Sequence, residues 1–454
     1  MTACIQTRLD RYRTRNVPRY TSYPTAPHFH KGFGTEAHAR ALAALDPAEP
    51  ISLYLHVPFC RHLCWYCGCN MKLASREAPI AQYAQMLRQE IDLLASHLPA
   101  KMRISHLHWG GGTPTALLPQ DLAMLMRAVG DRFQIEPDAE LAIESDPRSL
   151  SDEMIAMIGA LGFNRASFGV QEFDPRVQAA INRIQPPEMV RRAVDGLRAA
   201  GVKGINFDLI YGLPHQTTET LLETIRLCEE IGPDRIALFG YAHVPWMAKK
   251  QRLIDEAALP GAEARQDQAN AASHALQAAG FTAIGLDHFA RAGDALAQAA
   301  EDGTLRRNFQ GYTTDRATTM LCVGTTSIGR TPRSYSQNLS ETGAWARAIS
   351  EGRLPVGRGL ALTDDDLLRG EIIERLMCQG RVNPAAVAAA HGQSATALAD
   401  AEPALAELEA DGLIVRDASG LITATPLGRP LIRVIASAFD AYLATQKARH
   451  AVAV

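Results

Sequence analysis

Runs that read as strands and runs that read as amphipathic helices take turns from Ile51 to Asp287, and this alternation narrows the fold more than any other property of the sequence. ISLYLHVPF at 51–59 places Ile51, Leu53, Leu55, Val57 and Phe59 on one face, the period-two pattern of a half-buried strand. The pattern predicts helix 79–98, strand 104–109, helix 119–133, strand 139–146, helix 151–161 and strand 165–171. Helix 187–200, strand 204–211, helix 217–231, strand 235–242, helix 263–279 and strand 282–287 complete it. Pro119, Ser151 and Thr217 suit helix starts, and Gly162, Gly201 and Gly280 suit helix ends. Short connections in a repeated β-α order imply a parallel sheet. The expected fold is therefore α/β, a partial (β/α)6-type barrel over 51–290 preceded by an arm and lead-in segment at 1–50.

Beyond residue 290 the alternation fails. RRNFQGYTT and the Gly/Thr/Ser-rich LCVGTTSIGR read as loops, so 291–361 is expected to cover the active site and connect onward. From Leu362 the chain is Ala-rich, and LAELEADGLIVRDASGLITATPLGRPLI reads as helix, strand, turn at Gly420, strand and helix. That predicts a small, mostly helical, winged-helix-like domain over 362–454. A winged helix that reads DNA needs a basic recognition stretch, whereas Glu402, Glu407, Glu409 and Asp411 make this one acidic. No nucleic-acid partner is expected.

The chain has 454 residues, enough for two or three packed units, and its 47% hydrophobic and 21% charged residues argue against long disorder. A net charge of -3 gives no general attraction to nucleic acid or an anionic membrane. MTACIQTRLDRYRTRN lacks the apolar core of a signal peptide, and no apolar run approaches the ~20 residues that span a bilayer. A cytoplasmic monomer without membrane attachment is the expectation.

Four of the eight cysteines crowd into CRHLCWYCGCN, spaced C-x-x-x-C-x-x-C-x-C. Structural zinc loops draw ligands from two separated pairs, and no second pair follows here. Buried core cysteines would not sit among Arg61, His62, Gly68 and Asn70. Three thiolates in one loop suit an iron-sulfur cube with one iron left for a small molecule, which assigns Cys60, Cys64 and Cys67 as metal ligands. Cys4, Cys228, Cys322 and Cys378 are scattered, three of them in apolar surroundings, and carry no functional reading.

The C-x-x-x-C-x-x-C loop resembles the signature of the radical S-adenosylmethionine superfamily. The longer string YLHVPFCRHLCWYCGCN, with RYTSYPTA, HWGGGTPT, FGVQEF, NFDLIYGLP and RNFQGYTT, resembles its oxygen-independent coproporphyrinogen III oxidase branch from residue 19 to about 440. The resemblance implies a [4Fe-4S] cluster and two molecules of S-adenosylmethionine. The implied reaction is oxidative decarboxylation of two propionates of coproporphyrinogen III, with an electron donor and an electron acceptor as further partners. A haem chaperone on the same scaffold is the alternative, but such relatives typically lack the fourth cysteine of the C-G-C-N present here. A zinc-bearing regulator of DNA is a third reading, separable by metal content.

Residue by residue, the resemblance implies that Gly111, Gly112 and Thr113 meet S-adenosylmethionine. Tyr54, Tyr66, Glu144, Gln171, Arg183, Asp208, Ala242 and Ile328 are then contacts of one or other cofactor molecule. Glu144, Gln171 and Asp208 also sit near the C-terminal ends of predicted strands, the chemical face of such barrels. The chain carries Trp65-Tyr66 where the family commonly has Tyr-Phe, which keeps aromatic character. Cys69 and His56 are the candidate catalytic residues, Cys69 as a non-ligating neighbour of Cys67. Of the basic run Arg8, Arg11, Arg13, Arg15 and Arg19, only Arg19 is expected to meet substrate carboxylates; the others read as a solvated arm.

Overall fold

The computed structural model describes residues 11–12 and 15–443, so Arg8, Arg13 and Cys4 lie outside the described residues. The chain forms two compact units. One holds Phe29–Phe281 and Asp315–Ala361; the other gathers the described residues before Phe29 with Thr282–Thr314 and those from Leu362 onward.

The first unit is built on the expected alternation. Strands β1 Ile51–Val57, β2 Arg103–Gly111, β3 Gln134–Ser145, β4 Arg165–Gln171, β5 Gly204–Tyr211 and β6 Arg235–Gly240 pair in parallel, each with the next. The helices that join or follow them include α1 Ala78–Ser96, α2 Pro119–Arg132, α3 Asp152–Ala160, α4 Pro175–Ala180, α5 Pro187–Ala199, α6 Thr218–Ile231 and α7 Ala262–Ala278. Local chemistry sets several boundaries. Ser151 accepts from Met154 N–H at 3.2 Å, Thr217 and Thr220 form a capping box, and Asp174 caps α4, which the periodicity had not revealed.

Burial follows the period-two reading: Ile51, Leu53, Leu55, Val57 and Phe59 are all buried. The alternate positions on neighbouring strands, among them Tyr54, His56 and His108, form a polar row, with Tyr54 in register beside His108. The apolar face accounts for most of the unit's stabilisation, at roughly 25 cal/mol per Å² removed from water.

The stretch expected to be covering loops departs from that reading. Met320–Val323 (β7) pairs in parallel with β1, and Ile328–Thr331 (β8), Ser334–Asn338 (β9) and Val356–Ala361 (β10) extend the sheet as an antiparallel meander. Short strands of Ser, Thr and Gly are hard to tell from loops by composition. Here Gly324, at φ +98°, makes the turn that lets β8 fold back on β7. The strand expected at 282–287 is instead two short strands, Phe281–Ile284 and His288–Arg291, with Gly285 at φ +60° between them.

The second unit contains the expected C-terminal elements. Helices Asp364–Gln379, Pro384–Ala390 and Glu402–Ala410 precede a hairpin of Ile414–Arg416 and Ile422–Ala424, with Gly420 at φ +82° in its turn. The acidic stretch is engaged internally, Arg416 donating to Glu402 and Glu409 at 2.6 Å each. Among the described residues no helix is long and apolar enough to cross a membrane.

Candidate functional site

The cysteine loop leaves β1 at Pro58 and is closed at its base. Phe59–Cys60 pairs in parallel with Lys72–Leu73, and Ala74 N–H donates to the Cys60 carbonyl at 3.0 Å. Inside the loop, Trp65 N–H donates to Ile181 O at 3.0 Å and Asn182 Nδ2 donates to Leu63 O at 2.7 Å, tying it to the end of α4. Trp65 and Tyr66 pack on the apolar cluster of Val177, Ile181, Leu213, Tyr241 and Ile254. Buried Gln251 donates to the carbonyls of both Tyr66, at 2.7 Å, and Ala242, at 3.1 Å. One amide thus brings together two positions far apart in sequence.

Each of the three cysteine sulfurs has a hydrogen-bond partner of its own. Thr113 Oγ1 lies 3.4 Å from Cys60 Sγ. Cys69 N–H donates to Cys67 Sγ at 3.4 Å, and the Cys69 thiol together with the Lys250 ammonium draws the Cys67 thiol below its ordinary pKa against the effect of burial. Cys64 Sγ accepts from Arg148 Nη2 at 3.2 Å and from Arg183 Nη1 at 3.4 Å. Among the described residues no three His, Cys, Asp or Glu side chains are arranged to hold a single metal ion. A four-iron cube spreads its ligand sulfurs more widely than one ion does, and three thiols with sulfur-directed donors fit a cube.

Against this loop stands the end of β2. Gly112 N–H donates to Val57 O at 2.8 Å, and a Cβ there would lie 2.8 to 2.9 Å from the backbone of Pro58 and Phe59, so only glycine lets the turn reach the loop. Gly111, at φ +120°, donates to Glu144 Oε2 at 3.1 Å. Glu144 Oε1 lies 3.2 Å from His108 Nε2. Burial works to raise the Glu144 pKa, but the neighbouring histidine and the Gly111 amide outweigh it and hold the carboxyl below its ordinary value.

His56 stands between Tyr54 and Thr326, with Nδ1 3.0 Å from the Tyr54 hydroxyl and Nε2 3.4 Å from Thr326 Oγ1. Burial pushes its pKa down to about 4, so the ring is neutral near pH 7. Thr326, at φ +63°, precedes Ile328 by two residues and brings β8 into the same neighbourhood.

Two expected residues carry incomplete polar groups, and a third has a displaced pKa. Gln171, 7% exposed, holds φ +67° and its Oε1 has no partner. Arg183 uses Nη1 on Cys64 and faces Asp146 at 3.5 Å, while its Nε has no partner. Burial, and after it the charge of Glu144, pushes Asp208 up to about 7. Buried groups in this state are where a bound molecule completes the hydrogen bonding.

Sequence reasoning missed Arg148, Asp146 and Gln251. Asp146 accepts from Arg148 N–H at 3.0 Å, Nε at 2.9 Å and Nη2 at 2.6 Å; burial opposes its ionisation, but Arg183 and Arg148 hold its pKa near 2. The turn-forming Asp-Pro in ESDPR was the available signal, though it says nothing of a sulfur 84 positions away. Arg11 and Arg15 meet Glu407, and Arg11 also meets Asp411, so these two are half-exposed but ion-paired rather than simply solvated. Arg19 is exposed, and its carbonyl accepts from Arg307 at 3.3 Å.

Comparison with known proteins gives a consistent picture. The family model for the radical SAM superfamily matches residues 54–228, and that for the HemN C-terminal domain matches residues 362–431. The oxygen-independent coproporphyrinogen III oxidase of Bradyrhizobium diazoefficiens is 48% identical over 443 residues, covering 98% of both chains. The protein of that name from Escherichia coli is 41% identical over 433 residues, 95% of this chain and 94% of that one. A solved structure described as coproporphyrinogen III oxidase (HemN) from Escherichia coli, a radical SAM enzyme, superimposes with a TM-score of 0.90 at 39% identity. It covers 94% of this chain and 100% of the other.

Proposed function

Because the chain belongs to the oxygen-independent coproporphyrinogen III oxidases of the radical S-adenosylmethionine superfamily, we propose that it converts two propionate side chains of coproporphyrinogen III to vinyl groups, giving protoporphyrinogen IX. The observation that carries this reading is the three-cysteine loop, with a hydrogen-bond partner on each sulfur, set directly against the Gly111–Gly112 turn. Membership of the superfamily implies a [4Fe-4S] cluster and S-adenosylmethionine. Cys60, Cys64 and Cys67 would hold such a cluster, and the chemistry the bound groups would supply is one-electron reduction of S-adenosylmethionine to give a hydrogen-abstracting radical. The propionate β-carbon gives up a hydrogen atom, the carboxyl leaves as carbon dioxide, and one electron passes to an external acceptor.

The residues divide that work. Gly111, Gly112 and Thr113 admit the cofactor to the cluster, since backbone without Cβ allows close approach. Tyr54, Tyr66, Glu144, Gln171, Arg183, Asp208, Ala242 and Ile328 contact one or other of two S-adenosylmethionine molecules. The open Oε1 of Gln171 and Nε of Arg183 support a bound molecule at these residues by leaving hydrogen bonds to be made beyond the protein. His56, neutral and oriented by Tyr54 and Thr326, is able to accept or relay a proton at an imidazole nitrogen. Cys69 stays a neighbour of the cluster, offering its N–H to Cys67 and keeping its own thiol unligated.

A haem chaperone on this scaffold is not favoured, because the relatives that match nearly the whole chain carry the oxidase name. The test is anaerobic reconstitution followed by addition of reductant, S-adenosylmethionine and coproporphyrinogen III. The expected products are 5′-deoxyadenosine and protoporphyrinogen IX. Absence of both from protein with an intact cluster overturns the reading.

A further inference from the structure

Cys64 differs from the other two ligand cysteines in what donates to it. Cys60 faces a hydroxyl and Cys67 a backbone amide with the Lys250 ammonium nearby, whereas Cys64 Sγ takes hydrogen bonds from two guanidinium groups, Arg148 at 3.2 Å and Arg183 at 3.4 Å. Both arginine side chains are buried, at 8% and 7% exposure. Arg183 is already read as a cofactor contact, while Arg148 has no place in the chemistry so far. Its aim is fixed by Asp146, which takes its Nε and shares its Nη2. The fork is therefore pre-set on the sulfur rather than free to turn toward solvent.

We propose that Arg148 is a positioning residue that sets the reduction potential of the cluster by holding a charged hydrogen bond on the Cys64 sulfur. The inference rests on Cys60, Cys64 and Cys67 being the cluster ligands. Adding one electron makes the cluster and its thiolates more negative, and a donor cation on a ligand sulfur stabilises that state more than the oxidised one. Burial keeps salt and water from screening the effect. Asp146 cancels part of the charge but is also what aims it. The two arginines on Cys64 act in the same direction as the Lys250 ammonium near Cys67, and Arg148 is the one whose aim Asp146 fixes.

The experiment compares the full-length parent with Arg148→Gln and Arg148→Lys, each reconstituted anaerobically and assayed for iron. Potentiometric titration with dithionite, read by the EPR signal of the reduced cluster, needs neither S-adenosylmethionine nor substrate. At the parent's midpoint, the ratio of reduced to oxidised cluster in Arg148→Gln is expected to be about tenfold lower, a downward shift of about 59 mV for a one-electron couple. Arg148→Lys keeps the charge but loses the fork, and shifts less in the same direction. Unchanged midpoints at full iron content in both variants overturn the proposal. Loss of iron from both overturns it too, because Arg148 would then clamp the loop rather than tune it. If Arg148→Gln alone loses iron, the midpoint of Arg148→Lys decides. Failure of the ligand assignment is distinct: the parent itself would then give no EPR-active cluster.

Discussion

Two buried polar networks in the sheet-bearing unit use similar side chains to opposite ends. On α1, the carboxylate of Glu90, 2% exposed, accepts from Gly324 N–H at 2.7 Å, Asn338 Nδ2 at 2.6 Å and Trp345 Nε1 at 3.0 Å. Two turns away, Tyr83 donates to the His56 carbonyl at 2.8 Å and accepts from Thr325 N–H at 3.0 Å. This network is closed within the protein. Around the cysteine loop, Gln171 Oε1 and Arg183 Nε are buried without partners, and Asp208 is pushed up to about 7. A closed network fixes backbone; an open one is completed by what binds. The difference separates the part that shapes the site from the part that uses it.

The most drastic way to break the comparison is on the open side. Cys64→Ala is expected to abolish both the cluster's absorbance and turnover, since two remaining thiolates do not hold the cube; turnover at wild-type rate would refute the ligand assignment. Gly111→Ala comes next. Its φ of +120° is strained for any L side chain, and the new Cβ would lie 2.7 Å from the His56 ring. The strain costs of order 1–3 kcal/mol. If the turn relaxes away from the loop, S-adenosylmethionine binding by the reconstituted protein weakens tenfold or more. Unchanged binding would show that the turn does not receive the cofactor.

The distinction between the two networks also marks what was legible in the sequence. The βα series could be read because apolar periodicity is local, and the strands at Arg165–Gln171 and Gly204–Tyr211 fall on their expected bounds. The gathering of Cys60, Cys64 and Cys67 in one loop could be read because their spacing is local. The closed network could not, for Glu90 meets residues more than 230 positions away, and an acidic residue on an amphipathic helix reads as solvated. The strands beyond residue 315 were hidden for another reason: Met320–Val323 is apolar but only four residues long and pairs with the remote β1, and the strands after it carry little apolar signal. Arg148 was invisible because its role depends on a fold-made meeting with Cys64.

Glu90→Gln tests the closed side. Burial outweighs the three donors and pushes the Glu90 pKa up to about 8, from an ordinary value of 4.5. Between those values the unfolded chain releases a proton that the folded chain keeps, so this group's contribution to stability is greatest at low pH. It falls as pH rises toward 8, by at most about 1.4 kcal/mol per pH unit, and changes little beyond. Glutamine cannot titrate, so the variant loses this slope; its amide, facing the Asn338 donor, costs about 1–3 kcal/mol. Urea unfolding from pH 5 to 9 checks both. An identical slope in parent and variant would remove Glu90 as the source.

The smallest effect belongs to polar contacts that are neither closed nor open. Arg15 reaches Glu407 at 3.4 Å with both side chains about two-fifths exposed, at 41% and 40%. Water competes for each partner, and ordering two long side chains offsets much of the attraction, so such a pair contributes about 0–1 kcal/mol. Arg15→Ala is expected to move unfolding by no more than about 0.5 kcal/mol and to leave S-adenosylmethionine binding unchanged. Melting and binding measurements on the same preparation check the two together. A tenfold loss of binding with an unchanged melting temperature would transfer Arg15 from the solvated arm to the site, and with it the rule that exposure on both partners marks a contact as idle.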